Sequence, residues 1–132
     1  MFEGYQAAVE AYFDDFVAAF ASFDGERVAA KFSLPFMAKG PGEACRVFDS
    51  RAQVAAYFQS YLDGYRSQGC RTCRYSKLTI HQVGSECLLA SVTWDLLDGA
   101  GASVSSWSES YMLGSASGEV LAFATVDHVG ER

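Results

Sequence analysis

Basic residues are in short supply in this chain. Ten Lys and Arg stand against sixteen Asp and Glu, giving a net charge of -6 and a pI near 4.7. That is the wrong sign for a surface that neutralises phosphates, so nucleic acid is not an expected partner. Long apolar runs are missing too. Stretches such as Val120 to Ala124 fall far short of the roughly 20 residues that cross a bilayer, which excludes a helical membrane span. The N-terminus carries Glu3 and Glu10 where a secretory signal needs a basic start, so the expected location is the cytoplasm. Histidine is confined to His81 and His128, and Cys70-Arg-Thr-Cys73 has no second C-x-x-C to complete a four-ligand zinc site. Within a strand, residues three apart point to opposite faces and cannot share an ion. No metal and no cofactor is expected. Without an export signal, Cys45, Cys70, Cys73 and Cys87 read as free thiols.

What the sequence does contain is enough apolar material for one core. Half of its 132 residues are hydrophobic and 14% are aromatic, which suits a single domain over residues 1–132. Val9, Tyr12, Phe13, Phe16, Val17 and Phe20 mark one face of a helix. Asp24 is placed to cap a second, shorter helix that carries Val28 and Phe32 inward and ends before Pro35. Phe36 to Phe48, interrupted by Gly40, Pro41 and Gly42, reads as a small hairpin or an irregular lip. A third helix opens on the capping box Ser50-Arg-Ala-Gln53, shows Val54, Tyr57, Phe58, Tyr61, Leu62 and Tyr65 at helical spacing, and ends at Gly69. From Arg71 the period changes to two. Four strands are predicted near 71–83, 86–97, 102–113 and 119–128, joined by turns short enough for an antiparallel meander. The order implies an α+β fold with three N-terminal helices packed on a strongly curved antiparallel sheet.

Pairing Leu97 with Ala102 across the Asp98–Gly101 turn sets Trp94 opposite Ser105, Val92 opposite Trp107, Ala90 opposite Glu109 and Leu88 opposite Tyr111. One face then carries Leu88, Val92, Trp94, Leu96, Trp107 and Tyr111, and must be the face covered by helices. Glu109 lies among them. A carboxylate there cannot stay both charged and unpaired, so burial favours its neutral form. Two readings stand: a ligand-facing acid, or a structural acid satisfied by Tyr57 or Tyr61. The opposite face holds Ser91, Thr93, Asp95, Ser106, Ser108 and Ser110 with Leu89, Val104 and Met112. Its low charge and flatness suit a homodimer packed through this Ser/Thr-rich sheet face, weighed against a plainly solvated sheet.

The stretch from Phe16 to Phe32, the capped helix from Ser50, Ser108-Glu-Ser-Tyr-Met-Leu113 and Val120-Leu-Ala-Phe123 together resemble the nuclear-transport-factor-2-like superfamily. That group has a cone-shaped, cystatin-like α+β fold and includes ketosteroid isomerases and polyketide cyclases. The resemblance implies a pocket between helices and sheet, and it spans almost the whole chain. In the isomerase branch the donor tyrosine falls on Phe16 and the proton-shuttling aspartate on Gly40, neither of which can serve. The protonated acid has a counterpart in Glu109. Other branches place His and Asp pairs in the cavity, and Asp127, taken as inward if Leu121 and Phe123 are inward, is the nearest candidate here. The expected catalytic residues are therefore Glu109 and Asp127. Phe16, Phe20, Tyr57, Tyr61, Trp94, Trp107, Tyr111 and Phe123 are expected to meet the substrate. The expected ligand is a small, largely apolar molecule with one hydrogen-bonding group. Three roles follow: a binding protein, an isomerase, lyase or cyclase using Glu109 as general acid or base, or an interaction module acting through the sheet face.

Overall fold

The structure is a computed structural model that describes residues 4–116 and 118–130. Helix α1 spans Tyr5–Ala21 and buries Val9, Tyr12, Phe13, Phe16 and Phe20 of the predicted stripe, joined by Ala19, while Val17 is half-buried. Helix α2, Gly25–Ala29, is capped by the Asp24 side chain, which accepts from the Glu26 amide at 3.0 Å. Strands β1, Phe32–Lys39, and β2, Arg46–Phe48, form the hairpin that the lip region left open. Helix α3, Arg51–Ser67, starts where Ser50 Oγ accepts from the Gln53 amide, while Gln53 Oε1 reaches back to the Asp49 amide. Strands β3, Thr72–Val83, β4, Cys87–Leu97, β5, Ser103–Ala116, and β6, Glu119–Asp127, follow as the meander.

All six strands form one curved sheet in the order β2-β1-β6-β5-β4-β3. Neighbours run antiparallel except β1 and β6, which are parallel. The α+β order of three helices and a curved sheet stands, with β1 and β2 inserted before α3. Among the described residues no helix is long and apolar enough to cross a membrane.

Phe32 is buried as expected, but from β1 and not from α2. The reason lies one residue earlier, where the Lys31 carbonyl accepts from both the Ala122 amide at 3.0 Å and the Tyr12 hydroxyl at 2.9 Å. Those bonds draw the chain into the sheet before helix can resume. Phe32 then packs on Phe36 and Phe58, with ring centroids 4.5 and 4.8 Å away. Helices α2 and α3 meet closely at Gly25, where any Cβ would stand 2.4 Å from the Ala55 carbonyl oxygen. Gln59 fixes that contact, accepting from the Gly25 amide at 2.7 Å and donating to the Phe23 carbonyl at 3.1 Å.

The β4–β5 pairing corrects the sequence reading by two residues. Trp94 faces Trp107, Val92 faces Glu109 and Ala90 faces Tyr111. Leu97 pairs with Ser103, one residue beyond the expected partner, and a shift between Leu96 and Leu97 adds the second residue. The longer turn is held by Asp98, whose Oδ1 accepts from the Ala100 and Ala102 amides at 2.9 Å each. Because side chains alternate, a slip of two preserves which face each residue occupies. Leu88, Ala90, Val92, Trp94 and Leu96 are accordingly buried on the inner face.

Candidate functional site

Along β6 the residue that turns inward depends on an irregularity. Met112 pairs with Ala124 but Leu113 pairs with Ala122, so Phe123 is an extra residue on its strand. A bulge of this kind switches the side-chain alternation. Ala122 is buried under the helices, whereas the Phe123 ring lies within 3.7 Å of where a Gly114 Cβ would stand, on the outer face. Phe123 therefore does not line the cavity, which corrects its expected role. Past the bulge Thr125 and Asp127 point inward. Asp127 arrives where expected, although the supposed inward placement of Leu121 and Phe123 fails.

The cavity between helices and sheet offers about 80 Å³ to the centre of a water-sized molecule. Phe16 and Phe20 of α1, Tyr57 and Tyr61 of α3, Trp94 of β4, and Trp107 and Tyr111 of β5 all line it, as do Glu109 and Asp127. Sequence reading left out Tyr65, Phe58, Leu62, Thr125 and Lys39, which also contribute. Tyr65 was within reach of that reading, because it continues the four-residue spacing of Tyr57 and Tyr61 on one helix face. Ring centroids run from Tyr57 to Tyr61 at 5.2 Å, on to Tyr65 at 6.0 Å and to Trp107 at 5.9 Å. This is a continuous aromatic wall.

Glu109 and Asp127 are direct partners in the β5–β6 ladder, and their carboxyl groups share a hydrogen bond. Trp107 Nε1 donates to Glu109 Oε1 at 3.0 Å, the two residues lying on one face of β5. The Tyr111 hydroxyl stands beside the same carboxyl and accepts from Trp94 Nε1 at 2.8 Å. Glu109 is thus satisfied by Asp127 and Trp107, not by Tyr57 or Tyr61. Burial, and after it the charge of Asp127, holds the Glu109 carboxyl well above the usual carboxylate range. Burial raises Asp127 too, but the hydrogen bond received from Glu109 favours its ionised form. Glu109 therefore carries the proton and Asp127 accepts it. Burial first, then the charge of Glu109, also raises the Tyr65 hydroxyl, so it stays a neutral donor.

Gly40 is buried at the mouth, and Glu43 Oε1 lies 2.6 Å from where its Cβ would be. The Glu43 carboxylate thus occupies the space of a side chain at position 40, and its charge acts on Asp127. Cys70 lies just before β3 and Cys73 within it, so the two do not belong to one strand. Both are buried, and burial pushes the Cys73 thiol up to about 12. No three His, Cys, Asp or Glu residues among those described are grouped to hold a metal ion. His81 is exposed on β3.

The family model described as NTF2-like protein (DUF6841) matches residues 5–128. The chain belongs to this family. Known folds agree with that assignment. A cystatin-like domain of unknown function from Nostoc punctiforme is similar with a TM-score of 0.75 at 17% identity, over 96% of this chain and 78% of that one. An NTF2-like protein with a cystatin-like fold from Novosphingobium aromaticivorans gives 0.75 at 13% identity, over 96% and 82%. A protein from Catenulispora acidiphila, solved in complex with S-DNPA, gives 0.74 at 14%, over 94% and 93%. At these identities the NTF2-like chain shares a fold with them and nothing finer. No curated protein matches the sequence.

Proposed function

We propose that this NTF2-like chain is a small-molecule-binding protein, acting as one domain over residues 1–132. Its ligand is largely apolar and is anchored by one hydrogen-bonding group on the Glu109–Asp127 pair. The observation that carries this reading is a hydrogen-bonded carboxyl pair set in the wall of a largely aromatic and apolar, unfilled cavity. A concave lining with much apolar contact area and few polar groups suits such ligands. The S-DNPA complex of the Catenulispora acidiphila relative supports the fold's capacity to hold a small molecule. A panel of apolar molecules titrated against the fluorescence of Trp94 and Trp107, which both line the cavity, tests it. Binders should change the emission, and Thr125→Leu, which fills space beside the pair, should abolish the change. An emission that no compound alters would overturn the reading.

The shared proton favours a second reading, in which Glu109 acts as general acid or base of an isomerase, lyase or cyclase and Asp127 or a tyrosine assists. A carboxylic acid whose burial favours its protonated form can give up a proton and recover it. Phe16 and Gly40 offer no donor or base of their own, so the pair would carry the proton transfer. Exchange of a bound ligand's acidic C–H for deuterium, followed by proton NMR, should vanish in Glu109→Gln. Equal exchange in that variant removes the catalytic role.

The outer sheet face supports a homodimer. Ser91 and Ser110 hydroxyls lie 2.6 Å apart and those of Thr93 and Ser108 2.8 Å apart, which leaves a flat face of low charge beside exposed Met37 and Val126. Sedimentation at micromolar concentration should give a dimer, and a monomer contradicts it. An interaction module acting through this face alone is disfavoured by the unfilled cavity. Four free cysteines support a cytoplasmic setting.

A further inference from the structure

The carboxyl pair has a proton where a counter-ion would fit. Among the described residues no lysine or arginine forms an ion pair with Glu109 or Asp127. Among the described residues Lys39 is the only lysine or arginine in the cavity lining, and its Nζ donates to the Gly40 carbonyl at 2.9 Å. At the mouth the Glu43 carboxylate adds a third acidic group. Aromatic rings make up much of the remaining lining, and π-faces attract cations at close range. The Tyr57 ring holds one from outside that lining, the Arg46 guanidinium, which lies 5.2 Å over it.

We propose that the ligand is an organic amine, bound as the ammonium ion with its cationic group on the Glu109 and Asp127 carboxyls and its apolar body against Tyr61, Tyr65 and Trp107. This rests on the cavity being a binding site and adds the charge of the occupant. An ammonium group supplies hydrogen-bond donors and positive charge together, so it replaces the proton that the carboxyls share. That proton leaves to solvent as both carboxyls become carboxylates. An anionic ligand would find Lys39, whose Nζ already donates to the Gly40 carbonyl, but would stand against the acidic groups of the pair. A neutral alcohol would gain the hydrogen bond without the charge.

The test compares three probes of one shape, naphthylmethylamine, naphthylmethanol and naphthoate, by isothermal titration at pH 6.5. Repeating the amine titration in two buffers of different ionisation enthalpy counts the protons released. The amine should bind at least about tenfold tighter than the alcohol and release protons, and the carboxylate should bind weakest. Asp127→Asn should remove the amine's advantage while leaving alcohol binding in place. Glu109→Gln, which keeps the shape and the Trp107 hydrogen bond, should end the proton release if Asp127→Asn does not fold. Equal binding of amine and alcohol, or a preference for naphthoate, overturns the amine assignment alone. If none of the three binds, both this inference and the binding reading fall.

Discussion

The two faces of β4 and β5 are built from alternate residues of the same strands, yet their polar groups live under opposite conditions. On the outer face, hydroxyls satisfy one another: Ser91 with Ser110, Thr93 with Ser108, and Ser110 with His128 Nε2 at 2.7 Å. Each of these bonds is only partly buried. On the inner face, Glu109 stands between Ser108 and Ser110 in sequence but among aromatic rings in space, and finds only Trp107, Tyr111 and another acid. Many weak polar contacts cost little to rearrange. A few buried ones hold strained protonation and unfilled space, which is where ligand chemistry belongs.

Substitutions should rank by face. Leu113, fully buried on the inner side of β5, should lose about 3 kcal/mol on replacement by Ala in urea unfolding. Tyr111→Phe should cost about 2 kcal/mol, because the buried Trp94 N–H loses its acceptor. Glu109→Gln should act in the other direction. The raised carboxyl holds a proton in the folded protein that the unfolded chain releases above pH ~4.5. The stability it contributes is therefore complete below that pH and declines as pH rises toward the folded value. Glu109→Gln should gain about 1 kcal/mol at pH 7, and a gain of the same size at pH 4 would show that protonation is not the cause. On the outer face, Thr93→Val should change stability by less than about 0.5 kcal/mol at protein concentrations that favour the monomer. A loss matching that of Tyr111→Phe would erase the contrast between faces.

How much of this was legible depended on whether the backbone stayed regular. Helices α1 and α3 follow their apolar spacing, so Phe16, Phe20, Tyr57 and Tyr61 were placed from sequence alone. In β4 and β5 the period of two assigned each residue's face, and that assignment survived a two-residue error in pairing. The error came from the Asp98 turn and the shift beside Leu97, which no residue type in that stretch announces. At β6 the same kind of irregularity misplaced Phe123, while Asp127 reached the cavity through a bulge that the sequence does not mark. Strand β1 was hidden by Pro35 and by the earlier helix pattern, since the bonds on the Lys31 carbonyl that lead the chain from α2 into β1 come from Tyr12 and Ala122, far away in sequence. Glu43 at Gly40 was equally hidden, because only the fold shows what fills the place of a missing side chain.

The central claim is that one face of this sheet keeps an acid neutral inside a ligand cavity. A carbon NMR titration of the Glu109 side-chain carboxyl in the unliganded protein tests it most directly. The resonance is expected to stay at its protonated position well past pH ~4.3, the midpoint of a glutamate in a model peptide. A Glu109 resonance with its midpoint at about that model-peptide value would contradict the account.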